Sequence, residues 1–264
     1  MDYKTELGLW LAASLSLSVG GSWLAWRLRQ AQSMSIDWLR RRLVETSAGQ
    51  VLLQLVRFLY YVGLPYAAVL RRALSLVRAG LMGSETSGPA VLGWPITQWA
   101  QALGWTTSLG VLLAVLLALG WRNALRAGEG ELAARGVWPP SAWWVTLREV
   151  LYSEIHWAFY RVGPLLILGD VYWAVLVGAA FPLLEWVLDP DWWVHVHGGA
   201  RREPVLLQCL WLGASTLTFF LTRNAWLAIA LHLGLALGLD AWLAWLLGPE
   251  AMPQTATETQ RTQA

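Results

Sequence analysis

The run Glu154-Ile-His-Trp-Ala-Phe-Tyr-Arg161 puts a carboxylate, an imidazole and a guanidinium within two helical turns of an otherwise apolar segment. These types suit acid–base chemistry on water: carboxylate and imidazole can polarise it, and a cation can neutralise or orient the charge that develops. At bilayer depth each charged group costs about 2.5–3.5 kcal/mol on insertion scales, so residues kept there need partners. The other intramembrane polar residues, Glu185, His232 and Asp240, all lie downstream. A polar site is therefore expected in the C-terminal half of the chain, with the N-terminal half as its support.

The elements that must position these groups are membrane helices. The 264 residues are 56% hydrophobic and 14% charged, with a mean hydropathy of +0.45, whereas soluble domains carry roughly 25% charged residues. This composition implies an integral membrane protein. A net charge of +2, with no basic run interleaved with aromatics, excludes nucleic acid as a partner. Cys209 is the single cysteine, which rules out an intrachain disulfide and a thiolate metal cluster. Among the 20 tryptophans, pairs such as Trp143-Trp144 and Trp192-Trp193 flank apolar runs, as in an interfacial aromatic belt.

The expected fold is all-α, a polytopic transmembrane bundle of about seven spans at 7–26, 51–70, 103–121, 142–168, 171–188, 204–222 and 225–247. Residues 1–140 supply supporting spans, 141–248 form the motif-bearing bundle, and the polar tail 249–264 is expected to be disordered. Asp2, Lys4 and Glu6 do not make a basic leader, so the first span reads as a retained anchor. Ile36, Leu39 and Leu43 recur at helical spacing, as in an interfacial amphipathic helix. Segment 83–101 reads as a loop or a partly interfacial segment, 122–141 and 189–203 read as loops, and Ser141 as an N-cap. Twelve basic residues in the loops after odd-numbered spans, against five on the other side, favour an external N-terminus.

Helical rise estimates depth. His156 lies about 13 residues, roughly 20 Å, before the 169–170 turn, and Glu185 lies about 15 residues, roughly 23 Å, after it. The two should meet at one level of a helical hairpin. His232, about 8 residues or roughly 12 Å below the next turn on that side, is expected to face the same cavity. Asp240 is two turns farther.

From about Ser141 to Asp240 the chain resembles the CPBP family of intramembrane proteases, which includes CAAX prenyl endopeptidases and bacteriocin-processing proteins. The family's motifs are EExxxR, FxxxH, and HxxxN or HxxxD. Aligned on Arg161, His156-Trp157 fall on the paired glutamates, and Phe181-Pro-Leu-Leu-Glu185 falls on FxxxH. The segment Leu221-Thr-Arg-Asn-Ala-Trp-Leu-Ala-Ile-Ala-Leu-His232 is similar to the family's turn, Trp, apolar run and His. The resemblance implies water activation by the first glutamate with the second-motif histidine, and oxyanion stabilisation by the third motif. Here that glutamate is His156 and that histidine is Glu185, an exchanged pair. The second glutamate is Trp157, the third-motif Asn or Asp is Ala236, and Glu154 stands two residues early. The resemblance thus implies either a divergent intramembrane endopeptidase, with His156, Glu185, His232 and Glu154 as candidate catalytic residues, or an inactive relative. A non-enzymatic scaffold or a small transporter is the alternative. The implied partners are a membrane protein or peptide and the lipid bilayer, in the plasma (inner) membrane of a prokaryote.

Each residue also has a structural reading. His156 could bond a carbonyl of a neighbouring helix, and Glu185 with Trp186 could be interfacial. Arg161 reads best as a structural ion pair with Glu154 or Glu185. Arg57 would snorkel or pair with the same carboxylates. Asp189, Asp191, His195 and His197 could ligate a metal, since His-x-His in extended chain points both rings to one side, or could form a solvated turn. His156, Glu185 and His232 make a two-histidine, one-carboxylate set, but no HExxH spacing accompanies them. No metal and no cofactor is expected.

Overall fold

The computed structural model describes residues 3–31, 34–71, 74–84, 90–126, 143–197 and 202–247. The 249–264 tail, Ser141 and most of the 122–141 loop lie outside the described residues, as do the side chains of Asp240, His195 and His197. The elements are α1 (Tyr3–Gln30), α2 (Met34–Glu45), α3 (Ser47–Phe58), a π-helical turn (Leu59–Gly63), α4 (Leu64–Leu70), the strands β1 (Ala90–Val91) and β2 (Trp94–Pro95), α5 (Ile96–Arg126), α6 (Trp143–Leu168), α7 (Val171–Leu188), α8 (Pro190–His197), α9 (Arg202–Thr222) and α10 (Ala225–Leu247).

Among the described residues, five helices are long and apolar enough to cross a membrane: Lys4–Gln30, Ser47–Leu70, Ile96–Gly120, Val171–Leu188 and Val205–Thr222. The seven spans of the sequence reading are these together with α6 and α10. In α10 the apolar stretch Ala225–Gly238 falls below spanning length, and α6 carries Arg148, Glu149, Glu154 and Arg161.

The bundle is organised around the antiparallel hairpin of α6 and α7. Its turn follows from local chemistry. Gly169 takes φ +70°, the left-handed geometry that ends a helix, and Asp170 N-caps α7 by accepting from Trp173 N at 3.0 Å. The turn between α9 and α10 repeats the device: Arg223 sits at φ +56° and Asn224 Oδ1 accepts from Trp226 N at 2.9 Å. Two packed layers flank α6. On one side Leu7 and Leu11 of α1 and Ala68 of α4 pack with Phe159, Tyr160, Val162 and Leu166. Farther round, Leu109 of α5 joins Ala214 of α9 and Leu231 and Leu235 of α10. Large apolar side chains such as Val51, Leu55, Val111 and Leu116 face outward, as lipid-facing positions do.

Three local features depart from the sequence reading. The helix α5 starts at Ile96, inside 83–101, and ends at Arg126, inside 122–141, so it outruns the apolar run 103–121 at both ends. Residues 190–197, expected in a loop, form the helix α8. Pro190 opens it with a pre-set φ, and Asp189 Oδ1 accepts from Asp191 N at 2.9 Å. His195 and His197 therefore belong to a helix rather than to extended chain, which removes the geometric basis for a His-x-His chelate. The loop 83–101 contains a two-residue hairpin pairing Ala90 with Pro95 and Val91 with Trp94. Leu92 and Gly93, both with positive φ, make its turn, as hairpin twist requires.

Candidate functional site

Positions 154 and 161 lie on one face of α6 and positions 156 and 160 on the other, because 100° per residue puts 154 and 156 about 200° apart. The polar residues accordingly divide into two buried clusters, one on each side of this helix.

The first cluster is centred on Glu154, which is 2% exposed. Its Oε1 accepts from His232 Nδ1 at 3.0 Å. Its Oε2 accepts from Ser215 Oγ at 2.6 Å and lies 3.6 Å from Arg161 Nη2. Arg161 Nη2 in turn donates to Ser215 Oγ at 2.6 Å, and its guanidinium lies over the Phe219 ring at 5.0 Å. The His232 ring is flanked by Trp157 and Trp211, each with its centroid 5.6 Å away. A buried carboxylate balanced by a guanidinium and two hydrogen-bond donors is electrically complete, and removing one partner strands the rest.

The second cluster is centred on Glu185. Tyr60 and Tyr160 donate their hydroxyls to its Oε1 at 2.6 and 2.5 Å, and His156 Nε2 approaches the same oxygen at 3.4 Å. Counting protons fixes the rest. Both tyrosine protons point at the carboxylate, so His156 Nε2–H donates to the Tyr60 oxygen at 3.1 Å and Ser14 donates to the Tyr160 oxygen at 3.0 Å. Nδ1 of His156 is buried without a hydrogen-bond partner. Both phenols converge on one carboxylate oxygen, and the imidazole and the Ser14 hydroxyl bond the phenols in turn. His156 is 1% exposed and Glu185 10%, so the pair meets but is roofed by two phenols.

These geometries bear on several expectations. His156 and Glu185 do meet across the hairpin. His232 does not join them; it turns to Glu154 on the far side of α6, because α10 packs against that face. Helical rise fixes depth along an axis but not the direction in which a side chain points around it. Arg161 pairs with Glu154 and not with Glu185. Arg57 pairs with neither: it forms a two-armed ion pair with Glu149 at 3.2 and 2.5 Å. Asp191 is bonded to Arg29 of α1. With His232 on the other cluster, the set His156, Glu185 and His232 cannot share an ion. Among the described residues, no group of three His, Cys, Asp or Glu side chains is placed to hold one.

Sequence reasoning missed Tyr60, Tyr160, Ser14 and Ser215. Tyr160 was legible, one helical turn from His156. Tyr60 was not, because Pro65 signals only that the helix is interrupted and not which residues the π-turn before it brings forward. That turn lets adjacent residues both reach α6: Tyr60 and Tyr61 each touch the His156 ring, at centroid distances of 4.8 and 5.2 Å.

Tyr160→Phe is expected to lower the thermal unfolding midpoint in detergent, by the equivalent of about 1.5–3 kcal/mol, because the hydroxyl bonds a charged group. Ser14→Ala should cost less, since the Ser14 hydroxyl bonds neutral phenols, Tyr160 at 3.0 Å and Tyr60 at 3.4 Å, and not the carboxylate. Equal midpoints for Tyr160→Phe and wild type would mean that the Glu185 carboxylate draws its donors from elsewhere.

No family model, curated protein or solved structure matches this chain.

Proposed function

We propose that this chain is a non-catalytic relative of the CPBP intramembrane proteases, which uses a carboxylate, histidine and arginine set to hold its helices together and serves as a scaffold for another membrane protein or peptide. The position of His232 supports this reading most. The family resemblance gives that histidine the task of oxyanion stabilisation, yet it is hydrogen-bonded to Glu154 and flanked by two indoles, across α6 from the His156–Glu185 pair. A water-activating pair with no oxyanion donor beside it forfeits about 10²–10³ in rate. Within the pair, Glu185 Oε1 already accepts from two phenols, and His156 Nε2 stands 3.4 Å from the same oxygen. The resemblance to bacteriocin-processing proteins argues for the plasma membrane of a prokaryote as the chain's setting.

The test compares membrane proteomes of cells with the protein, without it, and with Glu185→Gln at wild-type abundance. The scaffold reading expects loss of a co-purifying membrane complex on deletion, and no uncleaved precursor in the Glu185→Gln strain. Precursors that accumulate equally in the deletion and in Glu185→Gln would overturn it in favour of a divergent peptidase. That second reading is favoured by the 3.4 Å approach of His156 to Glu185 and by the residual exposure of Glu185. It expects the double exchange His156→Glu with Glu185→His to retain processing better than either single change.

A further inference from the structure

At the membrane end where the α6–α7 and α9–α10 turns meet the segment 77–84, a cavity of about 200 Å³ opens between the helices. Sites that enclose a drug-sized ligand run roughly 300–1,000 Å³, so this volume fits a headgroup rather than a whole amphiphile. Its inner wall is apolar, with Val77, Leu165 and Phe219. Its polar lining includes Arg78, Arg223 and Trp94.

Three observations give the cavity a ligand chemistry. First, Arg78 and Arg223 line it from different turns and have no ion-pair partner among the described residues. The nearby carboxylate of Asp170 is engaged in capping α7 and is not part of the lining. Second, Trp94 Nε1 is buried with no hydrogen-bond partner; a buried indole N–H usually finds an acceptor. Third, Arg223 holds φ +56° at a helix C-terminus that glycine or asparagine would occupy without strain. Strain kept at one residue points to use of its side chain.

We propose that this cavity binds a phosphate group, with Arg78 and Arg223 as its cations and the Trp94 indole as a neutral donor, and that the phosphate is the headgroup of an anionic phospholipid. Guanidinium suits phosphate through paired N–H donors. The apolar wall behind the cations suits the glycerol and upper acyl carbons of a lipid lying between the turns. Gly83 shapes the rim: a Cβ there would stand 1.9 Å from Gly93 O, so the 80–84 turn can press against the hairpin that carries Trp94.

The test uses the full chain in detergent, with phosphatidylglycerol, phosphatidylcholine and inorganic phosphate as probes, read by native mass spectrometry and by thermal midpoint. Wild type should retain phosphatidylglycerol at least about tenfold better than phosphatidylcholine. Arg78→Gln with Arg223→Asn should abolish that preference, and Trp94→Phe should reduce it a few-fold. Arg223→Asn alone separates binding from folding: asparagine tolerates the left-handed geometry, so the midpoint without lipid should hold or rise while the preference falls. Stabilisation by millimolar inorganic phosphate equal to that by phosphatidylglycerol, and lost in the same variants, would keep the phosphate site but assign it to a free anion, overturning the lipid. Equal phosphatidylglycerol retention by wild type and the double variant would overturn the site itself.

Discussion

Arg161→Ala is expected to be among the most damaging single substitutions in this chain, costing about 3–5 kcal/mol. The guanidinium is 2% exposed and is the only permanent cation within ion-pair range of the equally buried Glu154 among the described residues. Its loss leaves a carboxylate at bilayer depth with one imidazole and one hydroxyl, and opens a void beside Phe219. The measurement is folded yield and thermal midpoint in detergent. Glu154→Gln with Arg161→Met should be milder than the sum of the single changes, since removing both charges leaves neither stranded. Wild-type melting for Arg161→Ala would place the guanidinium among headgroups instead of in the bundle.

Gly178→Leu should prevent normal assembly of α6 against α7, and Gly178→Ala should cost about 1–3 kcal/mol. A Cβ at 178 would lie 2.7 Å from Arg161 Cα and 3.1 Å from its backbone nitrogen. Backbone cannot step aside as a side-chain tip can, so the two helices must part. Small residues serve close helix approach in membranes for this reason. Glu185 lies seven residues beyond Gly178, on the same face of α7, so the separation is carried to the His156 contact. Gly213→Ala is the internal control: nothing lies within 4 Å of its added Cβ. It should be neutral or mildly stabilising by helix propensity. Equal midpoints for Gly178→Ala and Gly213→Ala would refute the close approach.

Much of this was legible in the sequence. Gly169-Asp170 and Arg223-Asn224 marked two turns, and α7 and α10 begin and end where the apolar runs do. Helical rise put His156 and Glu185 at one level, and they meet. The division of the polar residues was legible in principle, because Glu154 and His156 stand two apart and a helix turns them to opposite sides. Depth alone misses it. Depth can be counted from one helix, whereas the face a residue presents to a third helix depends on where that helix packs. His232 is misplaced on that ground, and Arg57 goes to Glu149 for the same reason. The π-turn was legible only in part: Pro65, which cannot donate to the carbonyl four residues back, signals an interrupted helix, but not the five-residue turn Leu59–Gly63 that precedes it. Pro190 is a helix-start signal, outweighed in the sequence by its many polar neighbours.

Tethering on both sides has a mechanical consequence for α6. A roll of this helix about its own axis would displace both the Glu154–His232 and the His156–Glu185 contacts from their hydrogen-bonding positions. Torsion is therefore opposed in both directions, and so is sliding, because the two tethers attach to separate helices. A rearrangement that keeps these contacts carries α6 as a fixed axle, with motion falling to the elements outside the two clusters.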